Sequence, residues 1–358
     1  IAFTNARILP MTGNDTIIEG GTVLVEGNRI KAVGPAGGVA IPASAKVYDL
    51  TGKTVMPGLF DAHGHIDCCY GTSVMPQKHA VRYAALAYGV TTNFDPYANE
   101  LSSYETGEMT MAGLMVGPRW LTTGHVIYGR SGKPDRVFNR IDSIEDARAI
   151  TRRKAAIGGQ ILKSYKLTTR AQKQWLLQAA NESGQMIDAE GAGHFYDNVN
   201  VLLDGTSTLE HNLPVATYYD DLLQLFKKSD TANTPTLIVT FGELFGENYI
   251  YQTQEPWKES KVRNFIPGVN NAYNPIMGPS DAPLYVRGMQ TIHQADELYD
   301  VGFRSVSRSV KRLDDAGVTI NVGSHGQSAG IAIHWEMQLL AEGGILHRFR
   351  NPSLQLLH

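Results

Sequence analysis

The stretch Val55–His65 reads VMPGLFDAHGH and ends in two histidines. An apolar run passes through Pro57 and Gly58 into a second short apolar run, which leads to His63 and His65. Residues two apart in a β-strand point to the same face of the sheet. Two imidazoles on one face at a strand end can therefore bind one metal ion. Because a bare H-x-H is a weak motif in a chain with 11 histidines, the prediction depends on what the other strands supply.

The composition limits the protein classes that fit. The chain has 358 residues, of which 42% are hydrophobic, enough for one large or two ordinary domains. A net charge of −3 and an isoelectric point near 6.4 argue against nucleic-acid and anionic-membrane partners. We expect no membrane span, because no apolar run approaches the roughly 20 residues that one needs. No signal peptide is apparent, so we expect a cytoplasmic location, or a periplasmic one if a signal peptide has been removed.

Residues 1–54 are predicted to form a small β-domain. Thr22–Glu26 and Arg29–Val33 alternate in polarity around Gly27 and Asn28, a pattern typical of a β-hairpin. This region has no cluster of residues suited to catalysis.

Beyond the opening stretch, apolar β-runs alternate with helical segments. Ser143 is predicted to cap the helix Ile144–Ala156, Thr169 is predicted to cap the helix Arg170–Ser183, and Thr236–Thr240 is predicted as the seventh strand. Strict alternation of strands and helices indicates a parallel sheet, and eight such units indicate a closed (β/α)8 TIM barrel. The alternative, an open doubly wound sheet, has no G-x-G-x-x-G motif or P-loop to support it.

Residues able to bind metal recur at the predicted strand ends. In a (β/α)8 barrel the catalytic residues lie at the C-terminal ends of the strands. Imidazole nitrogen and carboxylate oxygen suit borderline divalent ions. The candidates are His63 and His65 on the first strand, Lys163 on the fourth, Glu190 on the fifth with His194 four residues later, His211 on the sixth and His325 on the eighth.

The first-strand stretch from Pro57 to His65 resembles the signature of the amidohydrolase superfamily of metal-dependent hydrolases. The segments around Glu210–Val215, Ser324–Gln327 and His334–Glu336 resemble one branch, which is related to imidazolonepropionase and Xaa-Pro dipeptidase and includes amidohydrolases fused to TolB-like propellers. The resemblance implies a (β/α)8 barrel with a small N-terminal β-sandwich. We expect residues 1–54 to form the first half of the sandwich, residues 55–346 the barrel and residues 347–358 an atypical tail, so that the sandwich is incomplete at the C-terminus.

The resemblance also implies a set of metal ligands. His63, His65 and His211 would bind one or two divalent ions, and Lys163 would be a bridging ligand after carboxylation by carbon dioxide. Where the family has a fifth-strand histidine, this sequence has Glu190, with His194 as the alternative ligand. Zinc suits these ligands best, and cobalt, manganese and nickel are alternatives.

The family ends its eighth strand in an aspartate that binds metal and transfers protons, whereas this chain has His325. A histidine can do either, so His325 and Lys163 are the predicted catalytic residues. The predicted substrate-binding residues, which follow the third and fourth strands, are His125, Tyr128, Tyr165 and Arg170.

These expectations together predict a metal-dependent hydrolase of amide or peptide-like C–N bonds that uses metal-activated water. A dipeptidase and a cyclic-amide hydrolase are the two forms of this activity that fit. Two alternatives stay open: a deaminase of ring or guanidino groups on the same barrel, and a degenerate metal-binding scaffold, suggested by the missing eighth-strand aspartate. The expected partners are a small-molecule or dipeptide-like substrate and further copies of this chain in a homo-oligomer, which would cover exposed sheet edges.

Overall fold

The structure is a computed structural model that describes residues 1–12, 16–66, 78–129, 140–240, 246–254, 256, 260–265, 300 and 302–345. The chain divides into two compact units, of which the first contains Ile1–Leu59 and the second begins at Phe60. The predicted tail, residues 347–358, lies outside the described residues.

The first unit contains one described sheet of five strands, with β1 at its centre. β1 pairs antiparallel with β2 and parallel with β4 and β5, and β2 and β3 form the predicted hairpin, with Gly27 at a φ of 60°. Ala6, Ile8 and Val23 form the core of this sheet. The strands are β1 (Ala2–Ile8), β2 (Ile18–Glu26), β3 (Arg29–Gly34), β4 (Val47–Asp49) and β5 (Thr54–Val55).

In the second unit, short strands alternate with helices and form two sheets. One sheet has the order β6-β7-β8 and the other the order β12-β11-β10-β9. β7 pairs in parallel with β8, as do successive strands of the second sheet. The strands are β6 (Leu59–Asp61), β7 (Val90–Asp95), β8 (Arg119–Thr122), β9 (Ile161–Ser164), β10 (Met186–Glu190), β11 (Thr208–Glu210) and β12 (Ala232–Thr234).

Three further links join these two sheets into a ring. Ile127, which follows β8, forms a parallel bridge to the end of β9, and Asn233 of β12 forms a parallel bridge to Ile320. The N–H of Ala62, just after β6, donates to the carbonyl of Val322 at 2.9 Å. The segment around residues 320–322 thus takes the place of the eighth strand, and the predicted (β/α)8 barrel is confirmed.

The helices pack around this barrel, and two begin at the predicted caps. Ser143 accepts the N–H of Asp146 at 3.1 Å, and Thr169 forms a capping box with Gln172. In the part of the chain that is described, no helix has the length and apolar character needed to cross a membrane. The helices are α1 (Ala80–Ala87), α2 (Glu100–Met111), α3 (Ile144–Ala156), α4 (Arg170–Ser183), α5 (Phe195–Asp204), α6 (Asp220–Ser229), α7 (Gly246–Thr253), α8 (Ser260–Phe265), α9 (Phe303–Asp315) and α10 (Ile331–Glu342).

The predicted seventh strand, Thr236–Thr240, is wrong. The strand is β12, four residues earlier, and Leu237–Val239 is a turn of 3₁₀ helix. Pro235 has no N–H to continue the ladder, so the strand ends before it. The polar residue Asn233 is tolerated inside the barrel because its side-chain amide donates to two backbone carbonyls, at 2.8 and 2.9 Å.

Candidate metal centre

Four histidines from the C-terminal ends of the barrel strands converge on one place. The ring centroid of His63 lies 4.7 Å from that of His65, 5.1 Å from that of His211 and 5.3 Å from that of His325. The Nε2 atoms of His63 and His65 are 2.9 Å apart. Among the described residues, His63, His211 and His325 offer ring nitrogens within 4.8 Å of one another, a spacing suited to a shared metal ion.

Each of these four rings bonds to a different protein group through Nδ1. An imidazole that is engaged at Nδ1 presents Nε2 as the metal-binding atom, and such partners fix the orientation of metal-binding histidines. The partners are Glu210 Oε2 at 2.5 Å for His63, Asp95 Oδ1 at 3.2 Å for His65, Thr236 Oγ1 at 2.6 Å for His211 and Gln327 Oε1 at 3.0 Å for His325.

The charge state of His63 also suits a metal ligand. Its side chain has no exposed surface. Burial, with repulsion from neighbouring His65 and Lys163, lowers the pKa of His63 well below its usual range. The ring is therefore neutral at physiological pH, as metal coordination requires.

Unusual backbone geometry places the later histidines. His211 and His325 have φ values of 66° and 56°, in the left-handed region that residues with side chains rarely adopt. Glycines flank His325 because space is short there: a Cβ at Gly323 would lie 2.5 Å from the Cβ of His63, and one at Gly326 would lie 2.7 Å from the backbone of His65. The sequence GSHG thus lets the eighth segment pass against the first strand.

A buried carboxyl group ties these two segments together. Asp61 accepts the N–H of His63 at 3.2 Å and the N–H of Ser324 at 3.0 Å, and it also accepts the hydroxyl of Ser324. The side chain is 2% exposed. Asp61 therefore fixes the histidine-bearing ends of the first and eighth segments relative to each other.

Beside the histidines, Lys163 lies between two carboxylates. Its Nζ is 2.8 Å from Glu190 Oε2 and 3.4 Å from Asp188 Oδ1, and Glu190 Oε1 is 3.4 Å from Nε2 of His211. Burial favours the neutral amine, but attraction to Asp188 and Glu190 outweighs it and raises the pKa of Lys163. Lys163 holds the pKa of Glu190 low despite burial. The pair is an ammonium and a carboxylate in this geometry.

The structure distinguishes the two candidates for the fifth-strand ligand. Glu190 is the last residue of β10 and lies beside His211. His194 is exposed at the start of α5, where its ring lies 5.9 Å from that of Tyr196. Glu190, and not His194, is brought to the cluster.

Two of the predicted substrate-binding residues belong to a row of tyrosines beside His65. Tyr97 lies edge-on to His65 with 6.3 Å between ring centroids, Tyr165 stacks on Tyr97 at 5.7 Å, and Tyr128 lies edge-on to Tyr165 at 5.2 Å. All three tyrosines are partly buried. Tyr97 is not among the residues predicted from the sequence, although it lies two residues beyond the end of β7, where a barrel places its site.

The other two predicted substrate-binding residues make different contacts. The carbonyl of His125 accepts the buried Nζ of Lys154 at 2.7 Å. Arg170 forms an ion pair with Asp204 at 2.7 Å, and its side chain is 46% exposed. The guanidinium of Arg170 is therefore engaged at the helix surface.

No family model matches the sequence. Over 65 residues, 18% of this chain, it is 45% identical to a 5-methylthioadenosine/S-adenosylhomocysteine deaminase of Symbiobacterium thermophilum, and the match spans only 15% of that relative.

Solved structures match far more of the chain. A putative prolidase from Bifidobacterium longum aligns over 96% of this chain and 79% of its own, with a TM-score of 0.66 and 22% identity. A Xaa-Pro dipeptidase crystallised with methionine in its active site aligns over 96% of this chain and 84% of its own, with a TM-score of 0.66 and 16% identity. At these identities the likeness is one of fold.

Proposed function

We propose that this chain, which has the fold of the amidohydrolase superfamily, is a metal-dependent hydrolase of amide or peptide-like C–N bonds. The observation that carries the proposal is the set of four imidazoles at the strand ends, each bonded to the protein through Nδ1. Such a set is suited to a metal ion, because partners of this kind fix the tautomer and orientation of metal-binding histidines. A dipeptidase and a cyclic-amide hydrolase are the two forms of this activity that we consider.

The donor set fits a borderline divalent ion. Imidazole nitrogens supplemented by the oxygen of Glu190 suit zinc first, and cobalt, manganese and nickel as alternatives, as one ion or two. When bound, such an ion polarises a substrate carbonyl and lowers the pKa of water to about 7. His63, His65 and His211 would hold it.

His325 is the proposed proton carrier. Gln327 engages its Nδ1, so the ring would accept and return protons at Nε2. In amide hydrolysis this proton goes to the leaving nitrogen, which must be protonated to depart.

Lys163 has two proposed states. Carboxylation by carbon dioxide would make it an anionic bridging ligand, but carboxylation requires a neutral amine. The carboxylates of Glu190 and Asp188 favour the ammonium form in the geometry described. We therefore propose that Lys163 positions Glu190 in the metal-free protein and is carboxylated only when metal ions draw these carboxylates away.

The substrate and the assembly are also proposals. The row of Tyr97, Tyr165 and Tyr128 would contact an apolar part of a small-molecule or dipeptide-like substrate. In the first unit, Ile30 is 68% exposed and Val47 is 52% exposed. Burial of such apolar side chains favours a homo-oligomer.

A second candidate function is deamination of a ring amine. The match to the deaminase of Symbiobacterium thermophilum, 45% identical over 65 residues, favours it. Water activated by the metal would then attack the ring carbon that bears the amine, and ammonia would leave.

The test combines metal analysis with two assays on the same preparations. Wild type, His63→Ala and the control His334→Ala, which changes an exposed histidine of α10, are loaded with zinc or cobalt. Hydrolysis of dipeptides and cyclic amides is then measured alongside ammonia release from purine nucleosides. We expect metal retention and hydrolysis in wild type and His334→Ala but not in His63→Ala. Ammonia release alone would favour the deaminase, and metal binding without turnover would favour a scaffold.

A further inference from the structure

The side chain of Thr236 is a buried partner of the His211 ring. The Nδ1 of His211 lies 2.6 Å from Oγ1 of Thr236, and the two residues are 2% and 0% exposed. The hydroxyl can accept from Nδ1–H, which leaves the lone pair on Nε2, or it can donate to Nδ1, which leaves Nε2–H to face Glu190 Oε1 at 3.4 Å. The position of this hydroxyl therefore bears directly on which nitrogen of His211 is available to a metal ion.

The backbone of Thr236 is held in an unfavourable conformation. Its φ and ψ are 46° and 55°, in the left-handed region. For a β-branched residue this is a rare and strained state, which persists only where the surroundings enforce it. Some other group must therefore hold the segment that follows.

Glu336 is the group that holds this segment. Its Oε1 accepts the N–H of Leu237 at 2.8 Å, and its Oε2 accepts the N–H of Ile238 at 2.9 Å. These are the first N–H groups of the 3₁₀ turn, which have no partner within the turn itself. Glu336 lies on α10 and has no exposed surface, so it fixes the turn from the neighbouring helix.

We propose that Glu336 is a positioning residue that, through the turn beginning at Thr236, sets the tautomer and orientation of His211. Glu336 is thereby assigned a role that helix packing alone does not give it. The role of His211 as a metal ligand rests on the proposed function. The positioning of its ring does not, because the contacts of Thr236 and Glu336 involve only protein groups.

A purely structural role for Glu336 predicts something different. If Glu336 only stabilised the fold, its substitution would lower the melting temperature and leave the tautomer of His211 unchanged. The distinguishing measurements are therefore the tautomer of His211, read by nitrogen NMR in metal-free protein, and the zinc dissociation constant, read by chelator competition.

The first variants change the hydroxyl. Thr236→Val keeps the shape and removes the hydroxyl, whereas Thr236→Ser keeps the hydroxyl. We expect Thr236→Val to shift the tautomer of His211 and to weaken zinc binding by about 10–100-fold, the usual effect of losing such a partner. Thr236→Ser should restore wild-type values. The matched control is Thr231→Val, which removes a buried hydroxyl that donates to the carbonyl of Thr206 at 2.8 Å.

The second variant changes Glu336, whose carboxyl group accepts the N–H groups of Leu237 and Ile238. Glu336→Gln has the same shape, but its amide group cannot accept both N–H groups. We expect it to shift the tautomer and weaken zinc binding to a similar extent as Thr236→Val. The double variant should bind zinc no more weakly than the weaker-binding single variant, because both changes act on the orientation of His211. A wild-type tautomer in Glu336→Gln, or fully additive losses, would overturn the proposal.

The two proposals fail in different ways. If wild type binds no zinc, the proposed function is wrong, and the tautomer measurement on metal-free protein still decides the role of Glu336. If zinc binds but Glu336→Gln leaves the tautomer of His211 unchanged, the metal centre stands and the positioning role is wrong.

Discussion

Glu210 Oε2 lies 2.5 Å from Nδ1 of His63, with side-chain exposures of 2% and 0%. The two residues are 147 positions apart in the chain and end the sixth and first strands of the barrel. Burial, and then repulsion from Asp188, raises the pKa of Glu210 well above its usual range. Thr234 donates to the other oxygen of Glu210 at 3.0 Å. The carboxyl group is thereby fixed, and it fixes His63 in turn.

Removing this carboxyl group should weaken metal binding. Because Glu210→Leu deletes the Nδ1 partner of His63, we expect about 10–100-fold weaker zinc binding, measured by chelator competition. Glu210→Gln keeps an acceptor oxygen and should lose less. The melting temperature of each metal-free variant is the control for folding. Wild-type zinc affinity in a folded Glu210→Leu protein would contradict the role.

Removing the cation beside Glu190 should destabilise the metal-free protein. Lys163→Met leaves the buried carboxylate of Asp188 and the partly buried carboxylate of Glu190 without their counter-charge. Loss of one partner of a buried pair costs about 3–5 kcal/mol. Urea unfolding measures this change. The double variant Lys163→Met/Glu190→Gln should recover part of the loss, since one unpaired charge is removed. If Lys163→Met is as stable as wild type, the ammonium assignment is wrong.

The carboxylation of Lys163 can be followed separately. With isotopically labelled bicarbonate, we expect no carbamate signal from the metal-free protein and one signal after metal loading, absent in Lys163→Met. Lys166→Met, which changes an exposed lysine, is the control. A signal without metal would contradict the ammonium state, and none with metal would contradict carboxylation.

Local signals predicted much of this fold. Ser143 and Thr169 precede apolar periodicity, and hydroxyl groups at those positions satisfy the first N–H groups of a helix whatever the tertiary context. His63 and His65 follow an apolar run at strand spacing, so the face and the end of the strand follow from the sequence.

Properties that depend on distant contacts were not predictable in this way. Thr236–Thr240 has strand-like composition. It forms a turn because Pro235 ends the strand and Glu336 accepts the N–H groups of Leu237 and Ile238. The ion pair of Arg170 with Asp204 likewise joins residues 34 positions apart, and the sequence alone does not show it. Three of the four Nδ1 partners, Glu210, Asp95 and Thr236, belong to other strands or loops, and only the closed barrel shows that they are near. Gln327 lies two residues from His325.

The tyrosine row predicts a preference for substrates with an aromatic group. Tyr97→Leu removes the ring between His65 and Tyr165, and aromatic pairs contribute about 0.5–1.5 kcal/mol beyond buried area. We therefore expect KM for an aromatic amide to rise up to roughly tenfold, with little change for a glycyl amide. The control is Tyr196→Leu, which changes a tyrosine that is 70% exposed. Equal changes for both substrates would place the row outside the substrate site.

Glu336 should also make stability depend on pH. Burial raises its pKa from the ordinary 4.5 to about 8, although the N–H groups of Leu237 and Ile238 oppose the shift. The folded protein then keeps a proton that the unfolded chain loses, so this stabilisation is complete below about pH 4.5 and is lost as the pH rises towards about 8. Each pKa unit corresponds to about 1.4 kcal/mol. We expect Glu336→Gln to flatten the fall in melting temperature across this range in metal-free protein. The control Glu342→Gln changes a residue of the same helix whose side chain is 31% exposed, and its melting temperature should follow that of wild type. Parallel curves of melting temperature against pH for Glu336→Gln and wild type would show that Glu336 does not retain the proton.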